Sequence, residues 1–229
     1  MATLAGRASS RRFRKLDDQR LAALVHDGDE EAFEELYHRH RASLLAFCRH
    51  MLRDREDGED ALQQTFLRAH RALRKCRPPD AVRPWLFAIA RNRCFTLLAA
   101  RRDTVVAPEE FEPGCDGLAD DVRRRAALRE LVDDLGRLPM DQRAALVLFE
   151  LGGLSQADIA SILGCSAGHV KALIFQARTA LIADRDARDT PCEEIRGQLD
   201  TGRGGALRRG PLRRHLRQCQ PCRAYRLAA

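Results

Sequence analysis

Three cysteines and one histidine near the end of the chain have the spacing of metal ligands. Cys192 lies upstream of a His-x-x-x-Cys-x-x-Cys group whose ligating residues are His215, Cys219 and Cys222. In a helix, His215 and Cys219 lie one turn apart on one face. Pro221 is expected to end that helix, so that the last cysteine folds back. Three thiolates and one imidazole form a closed tetrahedral zinc site. The sequence therefore predicts Zn²⁺ in a structural or regulatory role.

The charge of the chain favours a polyanionic partner. The 229 residues have a formal net charge of +7 and a pI near 9.3, and only three of the 40 basic residues are lysine. The planar guanidinium suits phosphate groups and guanine edges. A GC-rich genome also produces arginine in place of lysine, so the composition alone leaves both explanations open.

The other cysteines and the hydropathy indicate a reduced, intracellular protein. No stretch reaches the roughly twenty apolar residues that a membrane span needs, and no apolar run follows the basic residues of the segment from Met1 to Lys15. We therefore expect a cytoplasmic protein without membrane contact. Five cysteines are interpreted as isolated, reduced small residues: Cys48, Cys76, Cys94, Cys115 and Cys165.

Helical periodicity predicts an all-α protein. A disordered segment 1–18 precedes a first helical domain at 19–102, in which apolar residues recur at helical spacing. One stripe follows an acidic cluster that suits a helix N-terminus, and it consists of Leu62, Phe66, Ala69 and Leu73. Residues 103–120 contain acids, prolines and glycines without a helical period, which is typical of a linker between hinged domains. A second helical domain is predicted at 121–184 and the zinc tail at 185–229.

Two short helices in the second domain have the pattern of a helix-turn-helix. Ser155 and Asp158 have the spacing of a capping box that opens the first helix. Gly164 forms the turn and Ser166 can cap the second helix. The buried stripe of the second helix is predicted to contain Val170, Ile174, Ala177 and Leu181.

The opposite face of that second helix could enter a DNA major groove. Gln176 can pair with adenine, and Phe175 or Ala172 can contact a thymine methyl group. Lys171 and Arg178 can hold phosphates. Packing of Phe175 against another helix is the alternative that the sequence leaves open.

The two helical domains together resemble the extracytoplasmic-function (ECF) sigma factors of bacterial RNA polymerase, over residues 20–183. Three blocks support the resemblance: 57–69, 85–92, and the region from Leu138-Pro139 through Gln142-Arg143 to Ala177-Arg178. The first block resembles the helix that docks on the clamp of the largest polymerase subunit. The others resemble the segments that recognise the minus-ten and minus-thirty-five promoter elements. The resemblance therefore implies transcription initiation with core RNA polymerase and promoter DNA as partners.

The resemblance also implies the site residues. Those expected to bind polymerase are Asp57, Glu59, Asp60, Gln63, Gln64 and Arg68. Those expected to bind DNA are Lys75, Arg77, Arg83, Arg91 and Asn92 in the first domain, and Ser166, His169, Lys171, Ala172, Phe175, Gln176 and Arg178 in the second. Where the family has arginines in the recognition helix this chain has Leu173 and Gln176, so its promoter sequence cannot be transferred from relatives.

The tail resembles the zinc-binding modules of anti-sigma factors, here joined to a sigma factor in one chain. This implies regulation by the tail, either as self-inhibition or together with a separate anti-sigma factor, with thiolate oxidation as a means of release. The sequence leaves two alternatives open: the cysteines are incidental to a disordered tail, or the tail contacts nucleic acid, since no acidic residue follows Asp200. The alternative function is a helix-turn-helix regulator that acts without core polymerase. An enzyme is not expected because no catalytic set of side chains is recognisable, and a pure scaffold is disfavoured by two complete sigma-like domains.

Overall fold

The computed structural model describes residues 12–13, 15–102, 119–202 and 210–228, and all regular structure in these ranges is α-helical. This confirms the all-α class. Eleven helices occur in this part of the chain: α1 Asp18–His26, α2 Glu30–Leu52, α3 Arg55–Lys75, α4 Val82–Arg102, α5 Ala119–Arg137, α6 Met140–Glu150, α7 Gln156–Leu163, α8 Ala167–Asp189, α9 Cys192–Thr201, α10 Gly210–Gln218 and α11 Gln220–Ala228.

The chain divides into two compact units, residues 1–174 and 175–229. The boundary lies inside α8 and not in segment 103–120, of which residues 103–118 lie outside the described part. The predicted disordered segment 1–18 already contains a fully buried side chain, Phe13, whose carbonyl accepts a hydrogen bond from Arg39. Ordered structure therefore begins before residue 18.

Short acidic side chains start the first three helices. Asp17, Asp29 and Asp54 each accept a hydrogen bond from a backbone N–H three residues further along, at 2.7, 3.1 and 2.8 Å. These bonds satisfy donors that the helix itself leaves unpaired. The acidic cluster at the start of α3 thus has the helix-starting role that its composition indicates.

The core of the first unit lies among α1, α2, α3 and α4. All four residues of the predicted α3 stripe are buried, and the rings of Phe47 and Phe87 meet edge to face with their centroids 5.7 Å apart. Packing of this kind fixes how α3 and α4 present their outer faces. The helices that bear the first-domain site residues are therefore rigidly held.

Two cysteines interpreted as isolated lie against each other in this core. Cys48 of α2 and Cys94 of α4 are both fully buried. The hydrogen bond with Cys48, together with burial, raises the pKa of the Cys94 thiol. The interpretation as isolated was wrong for this pair, because 46 residues of sequence separate two positions that the helix packing brings together. Cys115 lies outside the described residues.

A buried arginine connects the later helices of the first unit to the earlier ones. Arg143 of α6 is 7% exposed and donates to the Met51 carbonyl of α2 at 2.8 Å. It also donates to the carbonyls of Gly136 and Leu138. Burial, with the nearby charge of Arg53, lowers the pKa of Arg143 to about 10, so the guanidinium remains charged at neutral pH. One side chain therefore joins the end of α2 to the turn between α5 and α6.

The second unit contains a small apolar core formed by the tail helices. Ile195 of α9, Leu212 and Leu216 of α10, and Cys222 of α11 are its buried members. A core this small gives little stability without a further crosslink or metal. Among the described helices none is by itself both long and apolar enough to cross a membrane, and only the bent pair α7 and α8 meets that composition jointly.

Candidate polymerase and DNA surfaces and a candidate metal centre

The predicted polymerase-binding residues lie on α3, and most of them face solvent. Glu59, Asp60, Gln63, Gln64 and Arg68 are exposed. Asp57 differs, because it is partly buried and forms an ion pair with Arg101 of α4. Hydrogen bonds from Arg49 and Arg55 lower the pKa of Glu59, so its carboxylate stays ionised at neutral pH. The face presented by α3 is therefore polar and charged, with Asp57 directed into the domain.

A groove of about 840 Å³, lined by both apolar and charged side chains, runs beside this face between α2 and α3. Phe33, Tyr37 and Phe66 line it, with the Tyr37 and Phe66 ring centroids 4.7 Å apart. Leu67 also lines the groove and is 43% exposed. The sequence reasoning missed the groove, although Leu67 gives a signal: it is a large apolar side chain next to the buried stripe of an otherwise polar helix.

The DNA-binding residues predicted in the first domain divide into two groups. Lys75, Arg77 and Asn92 are exposed. Arg83 donates to the Gly152 carbonyl, and Arg91 forms an ion pair with Asp141 at 3.8 Å.

Arg91 also stacks on Phe95, with its guanidinium carbon 4.2 Å from the ring centroid. Both engaged arginines thus contact the segment that contains α6 and α7. Two of the residues predicted to bind the minus-ten element are therefore engaged in contacts within the first unit.

The helix-turn-helix has the local structure that the sequence predicts. The Ser155 hydroxyl accepts from the Asp158 N–H at 3.1 Å, and the Asp158 carboxylate accepts from the Ser155 N–H at 3.2 Å. Gly164 adopts φ +67° at the end of α7, a left-handed conformation that favours glycine. Ser166 accepts from the His169 N–H at 3.2 Å and so begins α8. The capping box is confirmed.

The predicted recognition face of α8 is solvent-exposed. Val170, Ile174 and Ala177 are buried as predicted, and Leu181 is half-buried. The seven residues expected to bind DNA are all exposed: Ser166, His169, Lys171, Ala172, Phe175, Gln176 and Arg178. Phe175 is 71% exposed, so it does not pack on another helix. An exposed aromatic ring beside cations suits contact with DNA.

The four predicted metal ligands come together in the tail. Their ligand atoms, from Cys192, His215, Cys219 and Cys222, all lie within 4.8 Å of one another. The Sγ atoms of Cys192 and Cys219 are 3.7 Å apart. Two thiolates in a tetrahedral site with Zn–S bonds of about 2.3 Å are separated by roughly 3.8 Å. The donor set and its spacing therefore fit zinc.

The imidazole of His215 is oriented for ligation by a bond to the protein backbone. Its Nδ1 lies 2.7 Å from the Ala187 carbonyl of α8, so Nδ1 carries the proton and donates. Its Nε2 then faces Cys192, whose Sγ is 3.9 Å away. Zinc-binding histidines use such outer partners to fix the tautomer. The centre is thereby connected to α8.

The thiols differ in acidity. The Cys222 N–H, which bonds to the sulfur of Cys219, is the main cause that lowers the pKa of Cys219 to about 7. Burial first, and then the neighbouring sulfurs, raise the pKa of Cys222 to about 11. Cys192 is exposed at the start of α9. The centre thus combines a readily ionised thiol, that of Cys219, with a buried thiol, that of Cys222.

The expectation for Pro221 was wrong. Helix α10 ends at Gln218, ahead of the proline, and Pro221 is the second residue of α11. The first turn of a helix tolerates proline because its N–H groups have no partner within the helix. The helix is therefore interrupted at Cys219, and Cys222 joins the other ligands from the first turn of a new helix.

Comparison with known proteins identifies the family of the chain. The model of sigma-70 region 2 matches residues 36–104, and that of sigma-70 region 4 matches residues 128–181. The ECF RNA polymerase sigma factor SigM of Mycobacterium tuberculosis is 38% identical over 171 residues, which cover 74% of this chain and 85% of the relative. The chain belongs to the ECF sigma factors.

Other relatives and solved structures of sigma factors are similarly close. The RNA polymerase sigma-H factor of Pseudomonas aeruginosa is 34% identical to this sigma factor over 72% of the chain and 91% of the relative. CnrH, in complex with the cytosolic domain of CnrY, superposes with a TM-score of 0.60 at 31% identity, over 74% of this chain and 97% of that one. The sigma factor RpoE, in complex with the anti-sigma factor NepR from Bartonella quintana, superposes with a TM-score of 0.55 at 26% identity. The match covers 65% of this chain and 93% of that one.

Membership in the ECF family establishes the general function of this sigma factor. It directs transcription by RNA polymerase, and it is an initiation factor and not an enzyme. A regulator that acts without polymerase is therefore not favoured. The family match ends at residue 181, so the Cys3His centre of this sigma factor lies beyond the matched segments.

Proposed function

We propose that this ECF sigma factor docks on the clamp of the largest polymerase subunit through α3, binds the minus-ten element with residues between Lys75 and Asn92, and binds the minus-thirty-five element with α8. Its zinc tail regulates promoter binding. The observation that carries the proposal is the exposed recognition face of α8. Phe175 on this face is 71% exposed, and no groove or helix of the described residues covers it. An exposed ring on a helix face that also presents Lys171 and Arg178 is available for contact with a thymine methyl group.

Docking on polymerase is supported by the combination of the α3 face and its groove. A helix of the partner can lay an apolar stripe into a groove of this kind, while polar residues at the rim set its orientation. Leu67 lies in the groove, and Asp60 and Gln64 lie on the neighbouring exposed face. We assign the polymerase clamp as the partner that fills this groove. The assignment is supported by the match to sigma-70 region 2, which contains α3 in full.

A charge placed in the groove is expected to weaken polymerase binding. Leu67→Glu should raise the Kd for core RNA polymerase by at least about 30-fold, since a central apolar contact is worth roughly 2 kcal/mol or more. Fluorescence titration of labelled protein with core enzyme measures this. Leu131→Glu is the matched control, because Leu131 of α5 is 45% exposed and lies outside the groove. Equal losses in both variants would contradict docking in the groove.

Binding of the minus-ten element requires a change in the first unit. Arg83 and Arg91 hold Gly152 and Asp141, and DNA phosphates would have to replace those partners. The Arg91–Asp141 contact is a surface ion pair, which contributes about 0–1 kcal/mol. The bond from Arg83 to the Gly152 carbonyl is partly buried, and hydrogen bonds from charged groups contribute about 1.5–3 kcal/mol. DNA can therefore displace Arg91 from its partner at smaller cost than Arg83.

Zinc in the tail is held by Cys192, His215, Cys219 and Cys222. When bound, the ion supplies a structural crosslink. The protein residues do the rest: His215 bonds to the Ala187 carbonyl, and buried Asp184 pairs with Arg214 at 3.0 Å. Both contacts tie the tail to the second half of α8. The tail therefore regulates promoter binding by stabilising α8, the recognition helix.

Self-inhibition is the second candidate for the tail. The solved structure of RpoE that this chain resembles contains an anti-sigma factor, and the Cys3His spacing resembles the zinc modules of such factors. Oxidation of the exposed Cys192 and the neighbouring Cys219 to a disulfide by a peroxide, which is reduced to water, would release the ion.

Transcription with purified core RNA polymerase tests the function. Genomic DNA fragments serve as templates, and sequencing the 5′ ends of the transcripts identifies the start sites. We expect discrete start sites only with this protein present, and severalfold fewer transcripts when the chain is truncated after Asp189, because α8 loses its support. More transcripts from the truncated chain would favour self-inhibition, and equal numbers would exclude both roles of the tail. Absence of initiation by either form would contradict the proposed function.

A further inference from the structure

The positive charge excess of this protein lies in its last 29 residues. Eight arginines and no acidic residue follow Asp200, whereas the preceding 200 residues hold 32 basic and 33 acidic residues. The net positive charge of the chain is therefore carried by the tail. A zinc ion with three thiolates has a net charge of −1, which offsets only one of these arginines.

Four of the tail arginines surround a recess of about 300 Å³. Arg213 and Arg217 come from α10, and Arg223 and Arg226 come from α11. The buried side chain of Leu216 completes the lining, and no acidic residue of the described ranges belongs to it. An apolar floor strengthens the interaction of these cations with any anion that enters.

Three of the four guanidiniums have no carboxylate partner within residues 12–13, 15–102, 119–202 and 210–228. Arg217 forms an ion pair with Asp184 at 3.5 Å. Arg213, Arg223 and Arg226 form no such pair in that part of the chain and are exposed. Like charges that converge on one recess repel one another, and a bound anion relieves the repulsion.

We infer that this recess binds phosphate groups of duplex DNA. Guanidinium groups donate two parallel hydrogen bonds to phosphate oxygens. DNA is favoured over other polyanions because the recess is attached to the helix that we propose binds DNA: Asp184 of α8 pairs with Arg214 and Arg217. Asp184 lies six residues after Arg178, which is about 9 Å along the helix and about 120° around it, so the recess is beside the recognition face and not on it. The inference rests on the proposed role of α8 in binding DNA.

The phosphate contacts of the recess extend the DNA surface beyond the family match. That match ends at residue 181, and the recess is built entirely from residues after it. Such contacts add affinity that does not depend on base sequence. They position the recognition helix and do not choose the promoter.

Salt-dependent binding of the zinc-loaded full-length protein to a fluorescent duplex without a promoter tests the inference. The triple variant Arg213→Gln, Arg223→Gln, Arg226→Gln should bind about tenfold or more weakly, and the slope of log K against log salt should decrease by about 2 to 3. The triple variant Arg20→Gln, Arg71→Gln, Arg74→Gln is the matched control, since it removes the same charge from exposed positions of α1 and α3. It should keep the slope of the wild type.

Each other outcome has a definite meaning. Equal losses in the two variants would show that net charge alone acts, and this would overturn the inference, as would no binding by the wild type at low salt. If the protein bound an RNA duplex or anionic vesicles more tightly than the DNA duplex, and the recess variant lost that binding, the recess would be assigned to that other polyanion and the inference would be overturned. Unchanged DNA binding with lost binding of inorganic phosphate would assign the recess to free phosphate.

A separate measurement distinguishes failure of the inference from failure of the proposed role of α8. Gln176→Ala should reduce discrimination between promoter and non-promoter DNA in the holoenzyme, and it should leave the affinity for the promoter-free duplex within about twofold, because a base contact adds little to non-specific binding. Unchanged discrimination would contradict the role of α8, whatever the recess variant does.

Discussion

Cys222→Ser is expected to abolish zinc binding and to melt α9, α10 and α11 together. The apolar core of the tail has four buried members, one of which is Cys222 itself. Binding of structural zinc contributes roughly 10–16 kcal/mol of folding free energy to small domains. Without the ion the three helices have too little buried apolar surface to stay folded.

Zinc content by mass spectrometry and helicity by circular dichroism measure this expected loss. The described helices of the tail contain 10, 9 and 9 residues, so their melting should reduce the helical signal while the first unit stays folded. Cys76→Ser is the matched control, since Cys76 is exposed and lies outside the centre. A Cys222→Ser protein that keeps both zinc and the helical signal would refute the assignment of the centre.

The zinc content should also depend on pH in one direction. The ligating thiols and the imidazole must lose their protons before they bind the ion, so zinc affinity falls as the pH falls. Acidification to pH 5 should therefore have the same effect on helicity as a chelator at pH 7.5, and returning to pH 7.5 with zinc should restore the signal.

Arg143→Met is expected to destabilise the first unit by about 3 kcal/mol or more. The methionine fills much of the volume, but it leaves the carbonyls of Met51, Gly136 and Leu138 without the donor that they have now. Buried carbonyls without a donor each cost about 1–3 kcal/mol. The loss should separate α6 from α2 before the core around Phe47 and Phe87 unfolds.

Urea unfolding followed by tryptophan fluorescence measures this loss. Trp85, the single tryptophan, lies in the first turn of α4, close in sequence to Arg83, which contacts the α6–α7 segment. Arg20→Met is the control, because Arg20 is exposed. Unfolding free energies of Arg143→Met and wild type within about 0.5 kcal/mol of each other would show that water replaces the lost donor.

Local features of this fold follow from short sequence patterns. The stripe from Leu62 to Leu73, the capping box at Ser155 and the Cys3His set each depend on residues within a few helical turns or on chemically distinctive side chains. Helix periodicity and capping act at that range. The recognition face of α8 was predictable for the same reason, because a buried stripe defines the opposite face.

Features that depend on packing between distant segments could not be predicted in this way. Arg143 and Met51 are 92 residues apart, and nothing near Arg143 distinguishes an arginine that caps a remote helix from one that binds DNA. The α2–α3 groove and the contact between Cys48 and Cys94 likewise arise only when helices meet. For Pro221 the rule that proline ends helices was applied, although the rule that proline begins them fits the chain.

The continuity of α8 has a consequence for how a tail can be attached to a sigma factor. The family match ends at residue 181, yet the helix continues without interruption to Asp189 and then meets the zinc ligands. A helix turns by about 100° per residue. Inserting one residue between Leu181 and Asp189 would therefore swing the arginine recess a quarter-turn or more around the axis relative to Phe175 and Gln176, whereas inserting seven would restore its rotational phase to within about 20°. The length of this segment, more than its composition, sets which side of the recognition helix the tail serves.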